Sequence, residues 1–108
     1  MKKIFLAVLL LSSTAMADYF FCEIRATYGY VRSRNEAEYR VLKTSTEDSE
    51  FRCEGYIKGR TTFVKATALN DGGEKFASEV NSTAEVMITG LANQGDFQST
   101  VICTCGMN

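Results

Sequence analysis

The sequence predicts an all-β domain, a small antiparallel meander forming a sandwich or flattened barrel, with one short helix over about 34–44. Three observations lead there. Apolar and polar residues alternate along several stretches, turn residues recur about every eight to twelve positions, and no proline interrupts a ladder anywhere in the chain.

In chain order, the N-terminus comes first. Met1-Lys2-Lys3, the apolar run from Ile4 to Leu11, and Ala15-Met16-Ala17 have the charged start, hydrophobic centre and small-x-small end of a secretory signal peptide. Cleavage is expected between Ala17 and Asp18. As helix the apolar run reaches only ~12 Å, against a hydrocarbon core of ~30 Å, so it is not a membrane span. Cys22 follows Tyr19-Phe20-Phe21 and not small residues, which argues against a lipoprotein. The organisation expected is a signal peptide at 1–17 and a single disulfide-stabilised domain at 18–108, exported to the periplasm or the medium. The style of the signal is bacterial.

Tyr19 to Val31 reads as a half-buried strand. Phe20, Cys22, Ile24, Ala26, Tyr28 and Tyr30 share one face, and Glu23, Arg25 and Thr27 the other. Ser33-Arg34-Asn35-Glu36 matches a capping box, Glu36 and Arg40 are a favourable i,i+4 pair, and Ala37 with Val41 would face the core; hence the helix at 34–44. Ala37, Tyr39 and Val41 also alternate, so strand is the competing reading. Thr44 to Glu50 is polar and acidic and reads as loop. Phe51, Cys53 and Ile57 open a strand, Lys58-Gly59-Arg60 turns it, and Thr61 to Leu69 is rich in β-branched residues. Asn70-Asp71-Gly72-Gly73 is a hairpin turn with its return strand over Glu74 to Val80. Asn81-Ser82 turns again, Ala84, Val86 and Ile88 share a face, Ala92 to Asp96 reverses the chain at Gly95, and Phe97 to Cys105 is the last strand. Val101, Cys103 and Cys105 lie on its inner face.

An α+β sandwich of two strand-helix-strand halves is the alternative. Phe76, Val80, Ala84, Met87 and Leu91 match helical spacing, Ser82-x-x-Glu85 repeats the capping pattern, and Ile24-Arg25-Ala26-Thr27 echoes Val64-Lys65-Ala66-Thr67. Thr83, Val86, Ile88, Thr89 and Gly90 are poor helix formers, and the β reading is preferred.

Loss of Lys2 and Lys3 leaves ten basic against thirteen acidic residues, a net charge of −3 over the 91 residues that remain of 108. That charge carries no footprint for nucleic acid, and no further stretch is long and apolar enough for a transmembrane helix. Cys22, Cys53, Cys103 and Cys105 are even in number and, in an exported chain, expected to form two disulfides. Bridging Cys103 to Cys105 would join side chains ~6.6 Å apart along a strand, near the upper limit for a bridge. Cys22 and Cys53 are therefore each expected to take one of the C-terminal pair, with the assignment open.

The chain has no histidine, which removes the commonest general base and the usual zinc sites. Glu47, Asp48 and Glu50 are the nearest carboxylate cluster; in a mobile loop they read as solvated charge, and the calcium-loop spacing is missing. Cys103-Thr104-Cys105 with Met107 offers soft ligands suited to Cu(I) or a thiol redox pair. Asn81-Ser82-Thr83 matches a glycosylation acceptor that matters only in a eukaryotic secretory pathway. Tyr19, Phe21 and Val31 lie on the outer face of the first strand and Tyr28-Gly29-Tyr30 near its end; exposed aromatics of this kind could contact a protein or a sugar, although cover by another element of the domain is preferred. No catalytic, cofactor or metal site is assigned. The function expected is a non-enzymatic binding or structural module, such as an inhibitor of another exported or envelope protein. The alternative is a redox or Cu(I)-binding protein using Cys103 and Cys105.

Overall fold

The computed structural model describes residues 19–93 and 97–107. The expected signal peptide, its expected cleavage site, and Gly95 with Asp96 lie outside the described residues. Eight strands follow in order: β1 Tyr19–Ala26, β2 Val31–Glu38, β3 Lys43–Glu47, β4 Phe51–Lys58, β5 Thr61–Ala68, β6 Glu74–Val80, β7 Ala84–Leu91 and β8 Gln98–Met107.

They form two four-stranded sheets, β2-β1-β8-β7 and β3-β4-β5-β6, with every pairing antiparallel. Each strand is followed by its neighbour around the molecule, and β8 returns to pair with β1. The result is an up-and-down meander flattened into a sandwich. The chain changes sheets twice, at β2 to β3 and at β6 to β7. The turns after β1, β3, β5 and β7 therefore gather at one end, and the two termini of the domain at the other.

The inner faces follow the alternation in the sequence. Phe20, Cys22, Ile24 and Ala26 of β1 pack against Phe51 and Cys53 of β4, Val64, Ala66 and Ala68 of β5, Ala84 and Ile88 of β7, and Val101, Cys103 and Cys105 of β8. Burying Phe20 and Phe51 contributes about 1.5–3 kcal/mol each. Much of the remainder is alanine and sulfur, so the sheets approach closely.

Three expectations are corrected. The helix over 34–44 is absent. β2 runs to Glu38, a single 3-10 turn spans Tyr39–Val41, and β3 starts at Lys43. A helix of that length is marginal in water without a broad apolar face, and Ala37 and Val41 alone do not supply one. As strand, Ala37 pairs with Phe20 and Arg34 with Glu23. Ser33 does not cap a helix; its hydroxyl bonds Thr46 Oγ1 and, at 3.2 Å, the Glu47 carbonyl. Asn35 Nδ2 donates to the Ser45 carbonyl at 3.1 Å, so side chains seal the seam where β2 meets β3.

The loop over 44–50 is also mostly strand. β3 occupies Lys43–Glu47 and buries Thr46; its polar composition suits an edge. Only Asp48-Ser49-Glu50 turns, and Asp48 Oδ1 accepts from the Glu50 and Phe51 amides at 2.8 Å. Finally, β1 stops at Ala26, five residues short of Val31. The Ala26 amide donates to the Tyr30 carbonyl at 2.7 Å and Gly29 adopts φ +102°, a left-handed value that glycine accepts without strain. Tyr28 and Tyr30 are consequently exposed on the turn.

Candidate functional site

The four cysteines meet inside the sandwich. Cys22 and Cys105 are register partners on β1 and β8 and are bonded to each other, with Cα atoms 4.1 Å apart. Cys53 on β4 is bonded to Cys103 on β8 across 5.6 Å between Cα atoms, which ties one sheet to the other. No thiol is left free. Cys53 Sγ lies 3.7 Å from Cys105 Sγ, and the sulfurs of Cys22, Cys53 and Cys105 fall within 4.8 Å of one another. Three thiolates so grouped would suit a soft cation. As bridged sulfurs they have no thiolate to offer, and all four residues are buried. Thr104, between the two C-terminal cysteines, faces outward and donates to Glu85 Oε2 at 3.2 Å.

The carboxylates Glu47, Asp48 and Glu50 are held, not mobile. Glu47 accepts from Arg52 Nε at 3.0 Å. Arg32 on β2 reaches Glu50 Oε1 at 2.7 Å and has Nε 2.9 Å from Asp48 Oδ2. Glu50 Oε2 accepts from the Asn93 amide at 2.9 Å, and Asn93 Nδ2 donates to Ser49 Oγ at 2.8 Å. Asp71 Oδ2 accepts from the Leu91 amide at 3.1 Å, and Asn70 Nδ2 donates to the Leu91 carbonyl at 3.0 Å. These bonds knit the turns after β3, β5 and β7, and the start of β2, into one polar lattice.

The Arg32 guanidinium, followed by the Asn93 amide, holds the Glu50 carboxyl below its ordinary value. The fold therefore favours the ionised form. That stabilisation is present above the usual carboxylate range and is lost as the pH falls through the lowered value. Glu50→Gln is expected to melt lower than the parent at neutral pH, with the gap closing as both are acidified well below pH ~4. Melting curves across that range check it; a gap independent of pH would remove Glu50 from the account.

On the first sheet's outer face, Phe21 is covered while Tyr19, Val31 and Met87 are exposed. Phe21 is 9% exposed because the Arg34 guanidinium lies 4.3 Å from its ring centroid, and Arg34 also bonds Glu23 at 2.9 Å. Tyr19 and Val31 remain exposed, and Tyr28 stacks on Tyr30 at the turn with centroids 6.5 Å apart. Asn81 lies in the turn between β6 and β7 and accepts from Arg60 Nε at 3.1 Å. Met107 closes β8 and lines, with Tyr39, Arg60 and Asn81, a concavity of about 530 Å³ at that end.

The second sheet's outer face has a different character, and the residues that define it were not singled out by sequence. Register sets Lys43, Tyr56, Phe63 and Ser78 in one row, and Ser45, Glu54, Lys65 and Phe76 in the next. Tyr56 and Phe63 stack with centroids 4.8 Å apart at 15°. Lys65 pairs with Glu74 at 3.2 Å and approaches the Phe76 ring, and Phe76 is 68% exposed. A concavity of about 540 Å³ beside the stack is lined by Asn35, Val41, Lys43, Glu54, Tyr56 and Lys65. The signal available was the strand alternation itself, since each of these residues occupies the position between two inward ones.

Comparison with protein-family models, curated proteins and solved structures finds no match to this chain. Among the described residues no helix is long and apolar enough to cross a membrane. The two disulfides are compatible with an oxidising compartment.

Proposed function

We propose that the protein is a small exported binding module that engages another exported or envelope protein, without catalysis, through the outer face of β3–β6. The observation that carries this reading is the stacked Tyr56–Phe63 pair, held on a rigid sheet beside a concavity that contains Lys43, Lys65 and Glu54. Tyr is among the residues most enriched at energetically dominant interface positions, and Phe is enriched in interfaces generally. On a sheet tied to the other by the Cys53–Cys103 disulfide they lose little freedom on binding.

The test is capture from the native envelope with the exported protein as bait, alongside Tyr56→Ala. One stoichiometric protein partner, its recovery reduced about tenfold or more by the substitution, is the expected result for an anchor worth ~2 kcal/mol. Recovery unchanged in Tyr56→Ala would reject this face as the binding surface.

A second reading is a thiol redox or Cu(I) protein using Cys103 and Cys105; the grouping within 4.8 Å of the sulfurs of Cys22, Cys53 and Cys105, which holds one of the two, lends it support. It requires both bridges to be reduced first. Copper that co-purifies with reduced protein from its native compartment would support it over the binding module.

A further inference from the structure

We propose that two copies of this chain associate through β6 as a twofold antiparallel pair, which joins their second sheets into one eight-stranded sheet. The inference concerns self-association and is independent of the partner proposed above.

The two seams of the sandwich differ. Where β2 meets β3, Ser33 and Asn35 bond to the backbone of the facing strand. β6 ends its sheet at the other seam, and of its seven residues only Ala77 is even half-buried. It presents an open edge, the template to which another strand can add.

The backbone phase of that edge can be read. The Ala68 amide donates to the Gly73 carbonyl, and the Asn81 amide to the Arg60 carbonyl, both at 2.8 Å. An antiparallel ladder alternates bonded and non-bonded pairs, and both ends give the same phase through an unbroken register. Lys75, Ala77 and Glu79 therefore bond to β5. Glu74, Phe76, Ser78 and Val80 direct their N–H and C=O groups away from it, towards an added strand.

A second copy fits this edge in one register. With Ala77 on the twofold axis, Phe76 lies opposite Ser78 of the other copy and Glu74 opposite Val80, so outward groups meet outward groups in about eight hydrogen bonds. Lys75 then lies opposite Glu79 of the other copy, twice, on the inner face. On the outer face the two Phe76 rings become diagonal neighbours, each also diagonal to Val80 of the other copy. Sliding by two residues in either direction keeps the backbone phase but separates Lys75 from Glu79. Charged side chains turned inward on an edge ordinarily discourage pairing. Here the pattern Lys-x-x-x-Glu is its own complement when reversed, so the discouragement is lifted for a copy of itself.

Sedimentation of protein expressed from the full chain and purified with its disulfides intact tests the proposal. The expected mass rises with concentration to twice the monomer's. Ser78→Pro removes a donor that points away from β5, which an edge strand tolerates, and it should leave a monomer with the parent's melting temperature. Lys75→Glu and Glu79→Lys, both exposed, should each yield monomer, and the two combined should restore the dimer. A mass that stays monomeric up to the solubility limit overturns the proposal. So does a dimer unaffected by Ser78→Pro and by the single charge reversals, and a combined variant that stays monomeric overturns the register.

Discussion

Replacing Cys53 and Cys103 together by alanine is expected to lower the melting temperature by roughly 10–40 °C, the shift that a loss of ~2–5 kcal/mol produces in a domain of this size. This bridge joins positions separated by 50 residues, and the Cys22–Cys105 bridge positions separated by 83. On chain entropy alone such loops are worth about 4 and about 4.5 kcal/mol, so loop length scarcely ranks them. Their native roles differ more. Cys22 and Cys105 join strands that a ladder already holds in register, whereas Cys53–Cys103 is the covalent link between sheets. Either pair removed leaves the other bridge closed and no stray thiol. A domain with a total stability of roughly 5–15 kcal/mol then loses a large share of it in one step. Thermal unfolding followed by circular dichroism is the measurement. A fall of only a few degrees would mean that the bridges are not structural, and would move weight to the redox and copper reading of Cys103 and Cys105.

The same buried sulfur explains why the outer faces carry the functional argument. Side chains inside the sandwich are committed to packing and to two bridges. At one end, the turns after β3 and β5 commit Asp48, Glu50 and Asp71 to Arg32 and to backbone amides. Among what is presented on a rigid support are the Tyr56–Phe63 stack, the flanking lysines, and the open edge at β6. A dimer formed through β6 would place two such aromatic faces on one continuous sheet, which would favour a partner with repeated sites.

The sandwich was legible wherever one face of a strand is apolar. β1, β5 and β8 announce themselves through Phe20-x-Cys22-x-Ile24, Val64-x-Ala66-x-Ala68 and Val101-x-Cys103-x-Cys105. β3 did not, because an edge strand that buries only Thr46 has no apolar alternation to read. β2 was mistaken because Ser33-x-x-Glu36 satisfies the capping pattern while its side chains serve a seam between sheets, a use that exists only in three dimensions. The cysteine partners were narrowed by the short reach from Cys103 to Cys105, but choosing between Cys103 and Cys105 for Cys22 needs the register of β1 on β8. The aromatic face has the same limit. Tyr56, Phe63 and Phe76 are each visibly out of phase with the core, and only cross-strand register brings them side by side.

Gly55→Ala is expected to destabilise the protein by an amount at or above the ~1–3 kcal/mol usual for one extra buried methyl group, with little change in the chain's local preference for strand. Gly55 lies on the inner face of β4, opposite Val64 and Thr44. A Cβ there would stand 2.5 Å from Cys105 Cβ and Sγ and 2.8 Å from Cys22 Sγ. Those atoms are not the free end of a flexible side chain. They belong to a bridge between β1 and β8, and each of those strands is fixed in its ladder, so relief requires the sheets to part. Gly106→Ala provides the comparison: a Cβ there would crowd the side chain of Thr83 and its backbone Cα at 2.9 Å, in the short connection before β7, and none of the nearest atoms belongs to a bridge. Its cost should not change when the Cys22–Cys105 bridge is removed. The decisive measurement is Gly55→Ala in the background that lacks Cys22 and Cys105, both replaced by alanine. Removing the sulfurs clears two of the three close contacts and leaves only the Cβ at position 105, so the two changes should fall short of additivity by about 1 kcal/mol or more, as for residues in direct contact. Strict additivity in thermal unfolding would show that the crowding at Gly55 does not come from the bridge.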